Sequence, residues 1–148
     1  MIAYIDTSAL VPVLIDEQTS PLCAEVWESA ERLVSTRLVE IEAATALHRA
    51  QRLARISQPI LRAALGLLDG FMTDLDIIEI DQDLVRRARH CAEAAQLRGY
   101  DAVHCAAGLV TASTVGAVLV SGDQQLLTTW RQHGASVVDI NQTPLSPT

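Results

Sequence analysis

Apolar positions in this chain come in short runs that alternate with longer stretches of helical period. Residues 2–5, Ile-Ala-Tyr-Ile, read as a short buried strand. Residues 33–36, 75–80, 117–120 and 136–140 repeat that signature. After the first strand Thr7 and Ser8 follow as helix-capping types, and the apolar run of the short helix from Ala9 to Leu14 is broken only by Pro12. A second helix is expected to start at residues 18–21, with Thr19 or Ser20 as cap and Pro21 at the first helical position. Leu22, Val26, Ala30 and Leu33 carry its apolar stripe.

A long helix is predicted from about residue 37 to about residue 56, with Leu38, Ile41, Thr45 and His48 on one face. Ser57 caps the next, with Pro59 in its first turn and Ile60, Ala64, Leu67, Leu68 and Phe71 apolar. Two helices in succession without an intervening strand predict a protruding helical hairpin. Three more helices follow: 84–97, stopped by Arg98-Gly99; 100–113, small, apolar and therefore largely buried; and 124–133, stopped by Gly134.

Strands that alternate with helices predict an α/β fold, a three-layer α/β/α sandwich around a mainly parallel five-stranded sheet, plus the helical hairpin. Residues 1–140 make one domain. Residues 141–148, polar and proline-containing, are expected to form a flexible C-terminal tail.

Composition narrows the classes. With 148 residues, 49% of them apolar, the chain can bury a real core. No apolar run reaches the ~18 residues of a membrane span, and no basic-then-apolar leader precedes a cleavage site. A soluble, cytoplasmic protein is the expectation. Cys23, Cys91 and Cys105 are odd in number, lie in separate segments and show no C-x-x-C spacing, so they read as small buried hydrophobes. The net charge of −7 and pI near 4.9 argue against sequence-independent nucleic-acid binding through a broad basic surface. The chain has no lysine, which excludes any mechanism that needs one.

The candidate chemistry lies in acids. Asp6 and Asp123 each follow an apolar strand, at the end where parallel sheets bind ligands. Asp101 opens the buried helix, where the helix dipole favours negative charge. Glu42 sits mid-helix with alanines beside it. Individually, Asp101 and Asp123 are also ordinary helix N-terminal residues, and Glu40 and Glu42 ordinary surface charges. An acid abutting a buried strand needs a partner or a cation, which singles out Asp6. Converging carboxylates raise one another's pKa unless a divalent cation compensates, and all-oxygen ligands select a hard ion such as Mg²⁺ or Mn²⁺.

Four blocks in order, Tyr-Ile-Asp-Thr-Ser-Ala-Leu, Ser-Thr-Arg-Leu-Val-Glu-Ile-Glu-Ala-Ala-Thr-Ala-Leu-His-Arg, Leu-Arg-Gly-Tyr-Asp-Ala-Val-His-Cys-Ala and Ser-Gly-Asp-Gln-Gln-Leu, span nearly the whole chain. Together they resemble the PIN-domain family, in particular the VapC-type toxins of bacterial toxin–antitoxin pairs. The resemblance implies a metal-dependent endoribonuclease that uses metal-activated water. Asp6, Glu42, Asp101 and Asp123 would be its catalytic acids and the ligands of one or two Mg²⁺ or Mn²⁺ ions. It further implies RNA as substrate, a cognate antitoxin protein as partner, and a homodimer with no membrane association. Thr7, Ser8, Ser121 and His104 fall beside the site, as supports of the acids or phosphate contacts. Gln125 departs from relatives that carry a further acid near the fourth position.

The remaining residues carry two readings each. His104 stands one turn after Asp101, as a donor to a ligating carboxylate or as a satisfied buried histidine. Arg49, Arg52 and Arg55 progress along one side of the long helix, with Arg62 following, as an RNA-steering strip or as a solvated face. Arg86, Arg87 and Arg89 form a weaker cluster. Tyr4 reads as core, and Trp27 and Trp130 are open between core and partner contact. A phosphatase of the haloacid-dehalogenase type would want an aspartate at the place of Ser8 and a lysine; a receiver domain would also want the lysine. The alternatives that survive are a housekeeping RNA-processing PIN nuclease and a non-catalytic PIN-like binding module.

Overall fold

The computed structural model describes residues 1–142. In chain order its elements are β1 (Ile2–Ile5), α1 (Thr7–Leu14), α2 (Ser20–Ser29), β2 (Arg32–Thr36), α3 (Leu38–Arg52), α4 (Gln58–Asp74), β3 (Asp76–Ile78), α5 (Gln82–Ala95), α6 (Gly99–Ala112), β4 (Ala117–Ser121), α7 (Gln124–Gln132) and β5 (Val137–Asp139). The five strands form one sheet in the order β3-β2-β1-β4-β5, and every adjacent pair is parallel. The strand order reverses direction between β1 and β4. A crevice therefore opens there, outside the carboxyl ends of the strands.

β1 lies at the centre of the sheet and sends alternate side chains to opposite faces. Ala3 and Ile5 join a core with Leu10, Val26, Val39, Leu47 and Leu68, from the α1–α4 side. Tyr4 joins a second core with Leu84, Cys105, Leu119, Leu126 and Trp130, from the α5–α7 side. The predicted three-layer sandwich is observed. α3 and α4 form the predicted hairpin, but Leu47, Ala50, Leu61 and Ala64 anchor it in the core, and the exposed part is its turn.

Several local expectations are corrected. The buried face of α3 is Val39, Ala43, Leu47 and Ala50. The expected face faces solvent instead: Ile41 is 62% exposed, and Thr45 and His48 are exposed as well. α3 stops at Arg52, because Ala54 adopts a left-handed backbone (φ 56°) and Arg55 N–H donates to the Ala50 carbonyl at 2.8 Å. α5 stops at Ala95 through a left-handed Gln96 (φ 53°), and Gly99 begins α6 instead of ending α5.

Thr19 occupies the cap position of α2 without a side-chain bond. Ser20 Oγ instead accepts Glu17 N–H at 2.8 Å. Ser57 caps α4 as expected, accepting Ile60 N–H at 3.3 Å. Trp130 is fully buried, and Trp27 packs on Phe71 with ring centroids 4.4 Å apart, so both tryptophans serve the interior. The three cysteines are free and buried. Among the described residues, no helix is long and apolar enough to cross a membrane. The expected tail lies almost wholly outside them.

Candidate active site

Asp6 leaves the end of β1 and is itself the N-cap of α1, in place of the expected Thr7 or Ser8, which lie inside the helix. Its Oδ1 accepts Ala9 N–H at 3.2 Å and the Ser8 hydroxyl at 2.6 Å, and its Oδ2 accepts the Ser121 hydroxyl at 2.7 Å. The residue is only 6% exposed. Burial pushes its carboxyl above the usual range, while His104, Ser8, Ser121 and the Ala9 amide pull it back without cancelling the rise.

β4 delivers the second part of the site one strand away. Ser121 Oγ, besides donating to Asp6, accepts Asp123 N–H at 3.0 Å, and Ser8 Oγ accepts Gly122 N–H at 2.8 Å. Asp123 then caps α7, its Oδ1 accepting Leu126 N–H at 3.0 Å. The two serines hold the turn after β4 against the turn after β1.

Glu42 comes from α3, on the face of the sheet opposite α6. Its Oε1 accepts the Thr7 hydroxyl at 2.9 Å and lies 2.5 Å from His104 Nε2. Burial pushes this carboxyl up, but the hydrogen bond and electrostatics of the His104 ring, with Thr7, hold it below the usual range. His104 therefore contacts Glu42 and not Asp101, the carboxylate its sequence position suggested. The ring's other nitrogen, Nδ1, stands 2.8 Å from the Tyr4 hydroxyl. Asp101, in the first turn of α6, is half-buried. Its carboxyl is raised by burial, then by the charges of Asp123 and Glu42, with His104 and Arg98 opposing.

The charges of Asp123 and Glu42 both reach Asp101, while Ser121 links Asp6 to the Asp123 amide. Asp6, Asp101 and Asp123 form no ion pair among the described residues, and Glu42 faces His104, which carries charge only when protonated. The available oxygens are Glu42 Oε2, Asp123 Oδ2 and both of Asp101, none of which accepts a protein hydrogen bond among the described residues. This all-oxygen, uncompensated set suits a hard divalent cation. Among the described residues no three acidic, histidine or cysteine side chains stand close enough to form a preformed metal cage, so a cation there would require side-chain adjustment.

Other expected residues separate from the site. Arg49 and Arg52 lie exposed in the last turn of α3. Arg55 lies beyond its end and pairs with Glu17 at 3.2 Å. Gln125 donates to the Ala95 carbonyl at 3.0 Å. Tyr4 is the residue that sequence reasoning missed. The available signal was a lone phenol in an otherwise aliphatic buried strand, whose hydroxyl must find a partner.

A PIN domain model matches residues 3–129 of this chain. Ribonuclease VapC45 of Mycobacterium tuberculosis is 30% identical over 143 residues, covering 97% of this chain and 99% of that protein. Among solved structures, PAE2754 from Pyrobaculum aerophilum aligns with TM-score 0.65 and 25% identity over 93% of this chain and 90% of that one. A toxin–antitoxin complex from Klebsiella pneumoniae aligns with TM-score 0.65 and 15% identity over 95% and 99%. With its parallel sheet, its crevice between β1 and β4 and its four gathered acids, the chain belongs to the PIN-domain family, in its VapC branch.

Proposed function

We propose that this protein is a divalent-cation-dependent endoribonuclease and the toxin of a toxin–antitoxin pair. The observation that carries the reading is the gathering of Asp6, Glu42, Asp101 and Asp123 at the carboxyl edge of the sheet, with Asp6 and Asp101 raised and, among the described residues, no arginine paired to any of the four. The name of the VapC45 relative supports the reaction and substrate. The toxin–antitoxin complex among the similar folds supports the partner.

Asp101, Asp123 and Glu42 would hold the ion through their free oxygens, with Asp6 behind them, locked by Ser8 and Ser121. Bound Mg²⁺ or Mn²⁺ would supply neutralisation of the acids, polarisation of the attacking water and stabilisation of charge on the phosphodiester. One of the acids that does not hold the ion directly would take the proton that water loses as its oxygen attacks phosphorus. The P–O bond to the leaving sugar then breaks, and that oxygen gains a proton. Arg49 and Arg52 offer RNA a local positive patch on an acidic protein. The acidic crevice suits a basic arm of the antitoxin, and the active form is a cytoplasmic homodimer.

The test is incubation of purified, antitoxin-free protein with total cellular RNA, in Mg²⁺, Mn²⁺ or EDTA, beside Asp101→Asn. Discrete fragments are expected with metal, and none with EDTA or the variant. Metal-independent cutting, or full activity in the variant, overturns the reading.

A further inference from the structure

Glu42 is held by two residues that are themselves almost wholly buried. Tyr4 is 0% exposed and His104 is 3% exposed. The Tyr4 ring meets His104 edge-on, with centroids 6.2 Å apart, and meets Trp130 in the same manner at 5.8 Å. Phenylalanine would fill that space equally well, so packing alone does not call for the hydroxyl. Its polar role is the 2.8 Å contact with His104 Nδ1.

The two ends of this chain of contacts fix its direction. A phenol sealed from water and facing the charges of Asp6 and Glu42 keeps its proton, and in a neutral ring it can donate to Nδ1, which is then the bare nitrogen. An ionised carboxylate can only accept, so Nε2 must carry the hydrogen that points at Glu42 Oε1. In a neutral ring both ends favour the same tautomer, with Nε2 protonated and Nδ1 bare. Without the phenol, the neutral ring could present its bare nitrogen to the carboxylate and repel it.

Thr7 donates to the same Oε1 at 2.9 Å. Both protein donors thus fall on one oxygen of Glu42, and Oε2 is left for a ligand. The contact also spans the sheet, because α3 belongs to one face, α6 to the other, and Tyr4 lies in β1 between them. We propose that Tyr4 and His104 are positioning residues: the phenol sets the imidazole tautomer, and the imidazole holds Glu42 with one oxygen engaged and the other free for the cation. The inference rests on the metal-dependent nuclease reading above.

Such outer partners of metal ligands typically matter by 10–100-fold in affinity or activity. The experiment measures Mn²⁺ affinity by calorimetry and His104 by ¹⁵N NMR in the metal-free protein, for wild type, Tyr4→Phe, His104→Leu and His104→Gln. Wild type should show the Nε2–H tautomer, and Tyr4→Phe a mixture. Tyr4→Phe and His104→Leu should each weaken Mn²⁺ binding about tenfold. His104→Gln, whose amide nitrogen can replace Nε2, should recover most of the loss. In a Glu42→Gln background, Tyr4→Phe should produce no further loss. Variants that lose thermal stability but bind Mn²⁺ like wild type overturn the relay and leave the nuclease reading standing. Wild-type protein that neither binds Mn²⁺ nor cuts RNA overturns both.

Discussion

Ser121 Oγ donates to Asp6 Oδ2 at 2.7 Å and accepts the backbone N–H of Asp123 at 3.0 Å, so one buried hydroxyl ties the first of the four acids to the fourth. The parallel pairing of β1 with β4 brings them together, with Ile5 opposite Val120. Ser121→Ala removes the donor to one carboxylate oxygen and the acceptor for one amide. A buried group left unpaired costs about 1–3 kcal/mol. Thermal unfolding of the metal-free variant should show a loss of that order, and RNA cleavage should fall with it. A variant as stable as wild type would mean that water replaces the hydroxyl.

Asp6 and Asp101 oppose Glu42 in how they link folding to pH. Burial raises Asp6; burial, then Asp123 and Glu42, raises Asp101. A raised acid binds its proton more tightly in the folded state. Its stabilisation is complete below the ordinary carboxylate value of about 4 and is lost as pH rises through the raised folded value. Glu42, held low by His104 and Thr7 against its burial, stabilises above the ordinary value and loses that contribution as pH falls through the lowered one. At neutral pH the Asp6 charge therefore burdens the metal-free fold. Removing that charge by Asp6→Asn should raise its melting temperature there, less whatever the amide loses as an acceptor for Ser8, Ser121 or the Ala9 N–H. The gap should shrink near pH 4.5, and Mn²⁺ should stabilise wild type far more than the variant. Differential scanning calorimetry across pH checks the sign.

Gly108 on α6 faces the buried indole of Trp130. A Cβ there would lie 2.7 Å from Trp130 Cε2 and Cζ2, closer than real contacts allow. Trp130 is fully buried and donates Nε1–H to the Cys105 carbonyl at 3.2 Å, so it cannot yield without moving the segment next to His104. Gly108→Ala should destabilise by about 1–3 kcal/mol despite alanine's better helix propensity. Denaturant unfolding measures it; a stabilised variant would contradict the packing.

On α3, Leu47 is fully buried and Ile41 is 62% exposed. Leu47→Ala should cost about 2–5 kcal/mol and Ile41→Ala less than about 0.5 kcal/mol. The reverse order would restore the face expected from the sequence.

That helix marks where the sequence stops being legible. Asp6 and Asp123 could be read because strand end, acid and helix cap are contiguous, and each caps its helix as the local chemistry requires. The face of α3 could not, because the large apolar Ile41 sits outside while alanines 43 and 50 carry part of the buried side. A stripe weighted by side-chain size points the wrong way there. Arg55 was assigned to a helix that a left-handed alanine, invisible to propensity, ends before it. The His104–Glu42 contact joins residues 62 apart from opposite faces of the sheet, so helical spacing offered only the nearer acid, Asp101. Local chemistry was readable, whereas pairings set by topology were not.

The most direct measurement is the chemistry of the RNA ends that the protein leaves. Attack by water needs no neighbouring hydroxyl. The acid-and-cation account therefore predicts fragments without 2′,3′-cyclic phosphate, and continued cleavage of a substrate carrying a single 2′-deoxy sugar at the cut. Cyclic phosphate ends, with cleavage abolished by that one deoxy sugar and indifferent to EDTA, would show the 2′-hydroxyl as nucleophile and contradict the account.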